Sequence, residues 1–516
     1  MSKDHTDVEY GQVPGHAASR QVVDEVSFPY TTDNMDSEKP APALRNWRGR
    51  CLGHATNLRG LLPSFLLANG STPKKLHPSA WLDGLRGTAA FFVGYHVTED
   101  DNLLIQLPFL RYFVSGLPQV MIFFVISGYA LSYKPLKLAR QRRFREMDEA
   151  MASAAFRRHA RLFLPAMAVT FIQVLMVRLN WYGQGDTWYG TDIPQRSPGR
   201  AETFMGQVSG WWHNCLSLAS LFDRDPMRGL GYDPNLWTLT VEWEMALILF
   251  LAHVAFSRLR SGVRMALTVF TMWYCMCYSY WQIFLFFGGM LACDVNFALA
   301  ERAAQESDLG VQRMPYSDTA GPAAWANGIL SSYRGLKMPV VHPRLRKILL
   351  TLAFVFCYYL LSIPRFENSG FQTPGYKTLY SIMPKLYREK YYDNFWIPIA
   401  SVVLIFTLDR APFLQRIFTG AVPQYLGKIS FALYLVHGPL IYTLGWHLCV
   451  ALVGMTGRET DGQYGLAMLG AAAVFFPVCI WAADVVTRYI DTPSVNFGRW
   501  LYEKLIIRVA DHDRQN

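Results

Sequence analysis

Charge is scarce in this chain. Only 17% of its 516 residues are Asp, Glu, Lys or Arg, against roughly 25% in soluble domains, so a water-soluble globule accounts for it poorly. Its eight cysteines show no metal-ligand spacing, and no metal is expected. Cys275, Cys277, Cys357 and Cys479 fall inside apolar runs and read as reduced, packed hydrophobes, which leaves Cys215 and Cys449 as outward candidates for a pair. No secretory signal opens the sequence, because its first apolar stretch, Leu61 to Ala68, is short and follows a long polar tail. Asn69-Gly70-Ser71 spells a glycosylation acceptor that a cytosolic tail would never use. The internal repeats that mark many transporters are missing. So is any basic and aromatic recognition module, which sets nucleic acid aside as a partner despite a net charge of +10.

What is present is apolar: 51% hydrophobic residues, 15% of the chain aromatic. Hydrophobic segments stand at about 81–98, 117–133, 162–180, 236–256, 264–279, 281–297, 347–363, 393–409, 428–450 and 464–487. The expected fold is all-α, a polytopic membrane protein with about ten transmembrane helices. The stretch between the second and third segments carries Lys134, Lys137, Arg140, Arg142, Arg143, Arg145, Arg157, Arg158 and Arg161, and the bias of Lys and Arg toward the cytoplasmic side makes it cytosolic. Counting outward, both termini are cytosolic. Arg258, Arg260 and Arg264 lie inside, and the Trp- and Gly-rich loop from Trp181 to Asn235 lies outside. The expected organisation is a disordered cytosolic tail over 1–79, a membrane domain over 80–493 with a cytosolic insert at 298–346, and a cytosolic tail over 494–516.

Within the first segment, Trp81 to His96, stand Asp83, Arg86 and His96. An ionisable group at a helix centre costs roughly 2.5–3.5 kcal/mol on insertion scales, so each is a functional candidate. Asp83 and His96 are about 20 Å apart along a helix, most of a hydrocarbon core of about 30 Å. With this topology His96 lies at the outer end, and the fourth segment begins at the same level with Glu242 and Glu244. A carboxylate bonded to one imidazole nitrogen makes the other a better base, as deprotonation of a hydroxyl requires. The alternative is that Glu242 or Glu244 pairs with an interfacial arginine. Asp83 and Arg86, three apart, can pair with each other. His213 and Asp233 in the outer loop are candidates for touching an acceptor.

Five motifs follow in order: Leu82-Asp83-Gly84-Leu85-Arg86-Gly87 with His96; Phe123 to Tyr129, FFVISGY; Arg158-His159-Ala160-Arg161; Leu236 to Glu242, LWTLTVE; and Ile429 to His437, ISFALYLVH. Together they resemble the acyltransferase-3 family of membrane acyltransferases. The resemblance covers roughly Ala80 to Pro493. It implies a multi-span enzyme, in the plasma membrane or an endomembrane, that moves an acyl group from cytosolic acyl-CoA to a hydroxyl of a glycan or lipophilic small molecule. Acyl-CoA would be a co-substrate, and no bound cofactor is implied.

By the same resemblance His96 is the essential histidine, as base or acyl relay, and Glu242 is its acidic partner. Arg158 and Arg161 fall on the family's arginine pair. Three apart on one helix face, they can clamp phosphates at the cytosolic mouth or act as ordinary cytoplasmic-side anchors. Arg86 is assigned to the donor side or to its pair with Asp83. Asp83, Ser127, Trp237 and His437 are expected along the tunnel or around the site. Ser127 is not read as a nucleophile, since the topology sets no base beside it. A CoA held at the inner surface would thread its pantetheine arm toward His96. A transporter, or a catalytically silent membrane sensor, is the competing class; the joint presence of His96 and Glu242 argues against silence.

Overall fold

In the computed structural model the described residues are 63–64, 76–77, 79–93, 107–182, 198–221, 231–308, 342–364, 375–457 and 459–506. They are helical, with no strand among them. The helices are α1 (Ala80–Val93), α2 (Gly116–Arg140), α3 (Phe144–Arg178), α4 (Phe204–Ala219), α5 (Trp237–Phe256), α6 (Ser261–Cys277) and α7 (Trp281–Asp308). They continue as α8 (Pro343–Leu361), α9 (Asp393–Asp409), α10 (Ala421–Leu440), α11 (Trp446–Thr456), α12 (Asp461–Val486) and α13 (Thr492–Leu505). Each of the ten hydrophobic segments falls on a helix over its described residues, the first only as far as Val93. Six helical stretches are long and apolar enough to cross a membrane: 116–140, 144–178, 234–256, 281–305, 421–456 and 462–505.

Helix is what apolar chain must form where water cannot satisfy its backbone. Polar side chains in these helices spend their donors locally: Thr407 on the Val403 carbonyl at 2.8 Å, Thr487 on Ala483 at 2.8 Å, Ser401 on Ile397 at 2.8 Å. The ends are set by turn chemistry. Thr460 and Gln463 cap α12 reciprocally, and α6 is separated from α7 at Ser279, whose backbone is left-handed at φ 60°.

Two helix crossings fix the bundle, and both need glycine. A Cβ on Gly84 would overlap the Phe418 carbonyl, and one on Gly87 or Gly427 would overlap backbone across the α1–α10 crossing. At the α2–α7 crossing, a Cβ on Gly128 would overlap Phe286 and one on Gly289 would overlap Val125. Without hydrophobic drive between helices in lipid, such close approach supplies the dispersion contacts that hold them. One apolar cluster, with Leu82, Phe124, Phe286 and Leu404, gathers around the second crossing. Another, with Phe163, Leu239, Leu433 and Phe475, joins α3, α5, α10 and α12.

One difference from expectation repositions everything downstream. The third span was expected to start at 162, with a long basic loop before it. Instead α2 and α3 are joined by a turn of Gln141 to Arg143, and α3 runs unbroken from Phe144. The basic stretch is mostly helix. The loop expected outside also holds structure, since α4 docks on its neighbours through Trp211 Nε1 to Thr170 Oγ1 (3.0 Å) and Thr240 Oγ1 to the Leu218 carbonyl (3.0 Å). Cys215 and Cys449 are both buried free thiols, so they do not pair with each other.

Candidate active site

A long cavity lies between the two apolar clusters, walled by α2, α3, α5, α10 and α13. Along α3 its lining runs from Ala150 to Leu162, about 18 Å of helical rise. Glu242 is the one carboxylate among the described lining residues, which also include Arg86, Lys134, Arg157, Arg158, Arg161 and Arg499. Gln119, Thr238 and Tyr434 line the other end.

Glu242 sits one and a half turns into α5 and is 6% exposed. Arg158 reaches it from α3, its Nη2 donating to Oε1. Ser127 of α2 stands beside the same carboxylate. The second oxygen, Oε2, is buried with no hydrogen-bond partner, and so is Nε of Arg158. A buried acceptor left open is costly, and in a cavity it is where a ligand or a catalytic partner belongs.

This geometry corrects the division of labour read from the sequence. Arg158 was placed at the cytosolic mouth and Glu242 at the outer interface; they are in contact. They meet because α3 runs unbroken from Phe144 through Arg158 and lays the arginine against α5, where its side chain is buried in the pair. The alternative in which Glu242 pairs with an arginine is the one observed, with a buried arginine in place of an interfacial one. Ser127, expected to lack a base nearby, has the Glu242 carboxylate beside it.

Arg86 pairs with Asp83 at 3.0 Å and donates to the Gly427 carbonyl at 3.2 Å, so it ties α1 to α10 while one side lines the cavity. Arg161 lies within electrostatic reach of Asp83 and Asp491. Asp83, Trp237 and His437 are not among the described lining residues. Trp237 packs edge-on to Phe124 and Trp281, with ring centres 6.5 and 6.3 Å apart. His437 is buried with Nδ1 against the Tyr434 carbonyl. His213 is exposed on α4, and Asp233 is buried as the cap of the turn that begins α5; neither lines the cavity. His96 lies outside the described residues.

Arg499 was missed by the sequence reading, which closed the transferase domain at 493. The signal was available: Thr492-Pro493 is a helix start, and the fourteen residues that follow from it form α13, packed along α3.

The acyltransferase-3 family model, an acyltransferase domain, matches residues 79–486. The chain belongs to the acyltransferase-3 family. It is 36% identical to the O-acetyltransferase PaAT-1 of Phomopsis amygdali over 92% of this chain and 95% of that one. It is 22% identical to acyltransferase R4 of a Phoma species, over 83% of this chain and 97% of that one. The peptidoglycan O-acetyltransferase OatA of Listeria monocytogenes is 25% identical over 81% of this chain but 56% of its own length. No solved structure gives a significant match. As a member of this family, the protein is a membrane acyltransferase.

Proposed function

We propose that this member moves an acetyl or other acyl group from cytosolic acyl-CoA to a hydroxyl of a glycan or lipophilic small molecule. The observation that carries this reading is the unpartnered oxygen of Glu242, buried in the wall of a cavity whose other charged described lining residues are all basic. A long, thin pantetheine arm fits such a passage, and its charged nucleotide would stay at the basic end. In this reading the ten helical segments are ten crossings with both termini cytosolic, in an endomembrane or the plasma membrane.

His96 is the proposed general base. The open oxygen of Glu242 is the acceptor that the N–H of such an imidazole requires, fixing its tautomer and sustaining its basicity. Arg158 holds the carboxylate ionised and in place. As the acceptor hydroxyl attacks the thioester carbonyl its proton passes to the imidazole, the carbon–sulfur bond breaks, and the proton leaves with the CoA thiol. The fungal O-acetyltransferase relative supports the acetyl group, and the relative named for peptidoglycan supports a glycan acceptor as one possibility within the class.

Release of free thiol from acetyl-CoA by the purified protein in detergent, with an extract of hydroxylated metabolites as acceptor, tests the reading. His96→Ala should lower the rate by at least about a hundredfold with unchanged yield and melting temperature. Equal rates in the two proteins would remove His96 from the chemistry, and no thiol release from wild type with any acyl-CoA would remove the donor.

A further inference from the structure

Along α2 the cavity lining runs from Gln119 to Pro135, and toward the Gln119 end its hydrogen-bonding groups are unevenly spent. Tyr434 of α10 donates its phenolic proton to the Asn235 carbonyl, so the Thr238 hydroxyl is the donor in its bond to Tyr434. Ser430, one turn before Tyr434, donates to the Gly427 carbonyl at 2.9 Å. The protons of these three lining hydroxyls are therefore used within the protein. Gln119, in the first turn of α2 and 0% exposed, donates from Nε2 to the Tyr112 carbonyl at 2.8 Å. Only the amide nitrogen can donate to a carbonyl, so this bond fixes which way the amide is turned. Its Oε1 is buried with no hydrogen-bond partner among the described residues. What Gln119 leaves open at the cavity is an acceptor.

Its place along the cavity says what that acceptor can reach. α2 and α5 run side by side in one direction, since Phe124 meets Trp237 and Ser132 bonds His253. Ser127 and Glu242 share one level on these helices, and Gln119 lies eight residues before Ser127, about 12 Å of helical rise away. A group bonded to Gln119 is too far from Glu242 to be the hydroxyl that reacts there. Over the interval α2 contributes Val120, Phe123, Phe124 and Ile126 to the wall, so what spans it is apolar.

We propose that this part of the cavity is the acceptor pocket, in which Gln119 Oε1 receives a hydrogen bond from a second hydroxyl of a lipophilic alcohol, on the order of 10 Å from the hydroxyl that is acylated. This rests on the reading of Glu242 as the reaction centre, and it narrows the acceptor to an apolar skeleton with a hydroxyl at each end. Gln119 is a specificity-determining residue and takes no part in the chemistry. A ketone placed against it would set oxygen on oxygen, and an apolar group would leave Oε1 buried and unpaired. A glycan would bring many hydroxyls to a wall that cannot pair them.

Three probes on one rigid tetracyclic skeleton test this: androstanediol, with a hydroxyl at each end, androstanol, which lacks the far one, and androsterone, which has a ketone there. Their acylation from acetyl-CoA is measured with purified wild type and Gln119→Met. In wild type, kcat/KM for the diol should exceed that for either other probe by about tenfold or more, with the ketone poorest. In Gln119→Met the three should lie within about threefold of one another, with KM for acetyl-CoA unchanged. Each comparison is a ratio within one protein, so folded material lost with the bond to Tyr112 cancels. Equal use of the three probes by wild type, or a preference that survives in Gln119→Met, would overturn the assignment. Thiol release with the metabolite extract but none with the diol would also overturn it and leave the acyltransferase reading standing, whereas release with neither would remove both.

Discussion

Two of the buried arginine–carboxylate clusters among the described residues are built to opposite ends. Asp294 of α7 is enclosed by Arg140 of α2 and Arg264 of α6. Its Oδ1 accepts from Arg140 Nε at 3.0 Å and Nη2 at 2.7 Å and from Arg264 Nη2 at 2.7 Å, while Oδ2 accepts from Arg264 Nε at 2.7 Å. Glu301 takes the remaining nitrogen of Arg140. Nothing is left over on the carboxylate, and neither Asp294 nor Arg264 lines the cavity. Glu242 has one arginine, and one of its oxygens is open toward a cavity. The same pair of chemical groups is a three-helix clamp in one place and a poised site in the other. What separates them is saturation of the acceptors.

The strongest way to break this comparison is to neutralise each carboxylate without changing its shape. Glu242→Gln should lower turnover by about 10²-fold or more, with the folded yield retained. Asp294→Asn should do the reverse. It strands the buried guanidinium of Arg264 and leaves Arg140 only Glu301 as an acid, so a loss on the order of 3–5 kcal/mol of stability is expected, read as lower expression and a lower melting temperature in detergent, with turnover per folded molecule unchanged. If Glu242→Gln only reduces the amount of folded protein, the two clusters are equivalent and Glu242 is structural.

Asp233 sharpens the series, because it is a buried carboxylate with no ion pair among the described residues. It stands just ahead of α5, accepts from the Asn235 backbone N–H at 2.9 Å, and leaves Oδ2 unpartnered against Gly438. Burial pushes its carboxyl from 3.8 up to about 7. The folded state therefore holds a proton that the unfolded state has lost over that interval, so stability falls as pH rises from about 4 through 7 and the loss is complete above it. The smallest expected effect follows: the melting temperature of Asp233→Asn should gain on wild type as pH is raised from 5 to 8. A constant difference across that range would mean that Asp233 is ionised in the fold.

Much of this was legible in the sequence for reasons of solvent. Apolar segments had to be helices because lipid offers no hydrogen bonds, and their described residues are helical. Asp83 and Arg86, three apart, had to meet if the segment was helical, and they do, at 3.0 Å. Gly128 in the second motif has no side chain to hold a neighbouring helix off, and α7 is there. The error lay where charge was read by itself. Positive residues between segments look like a cytosolic loop, but Arg157, Arg158 and Arg161 lie in the body of α3, where Arg158 finds an acid. Arg264, whose charge was read for sidedness alone, is 2% exposed and bonded to Asp294. Hydropathy along the chain has no means of registering a carboxylate that arrives from another helix.

By itself, then, the sequence determined the helical class, the family and the identities of the polar residues set into apolar surroundings, since those follow from local composition and spacing. Only the tertiary structure decided which of them share a site. It joined Glu242 to Arg158, set Ser127 beside them, drew Arg499 in from the last helix, and placed Trp237 and His437 behind the lining residues Phe124 and Tyr434. The physical reason is that an ion pair or an open acceptor is a relation between helices far apart in sequence. Such relations are fixed by where glycine lets backbones approach and by how long each helix runs before it turns.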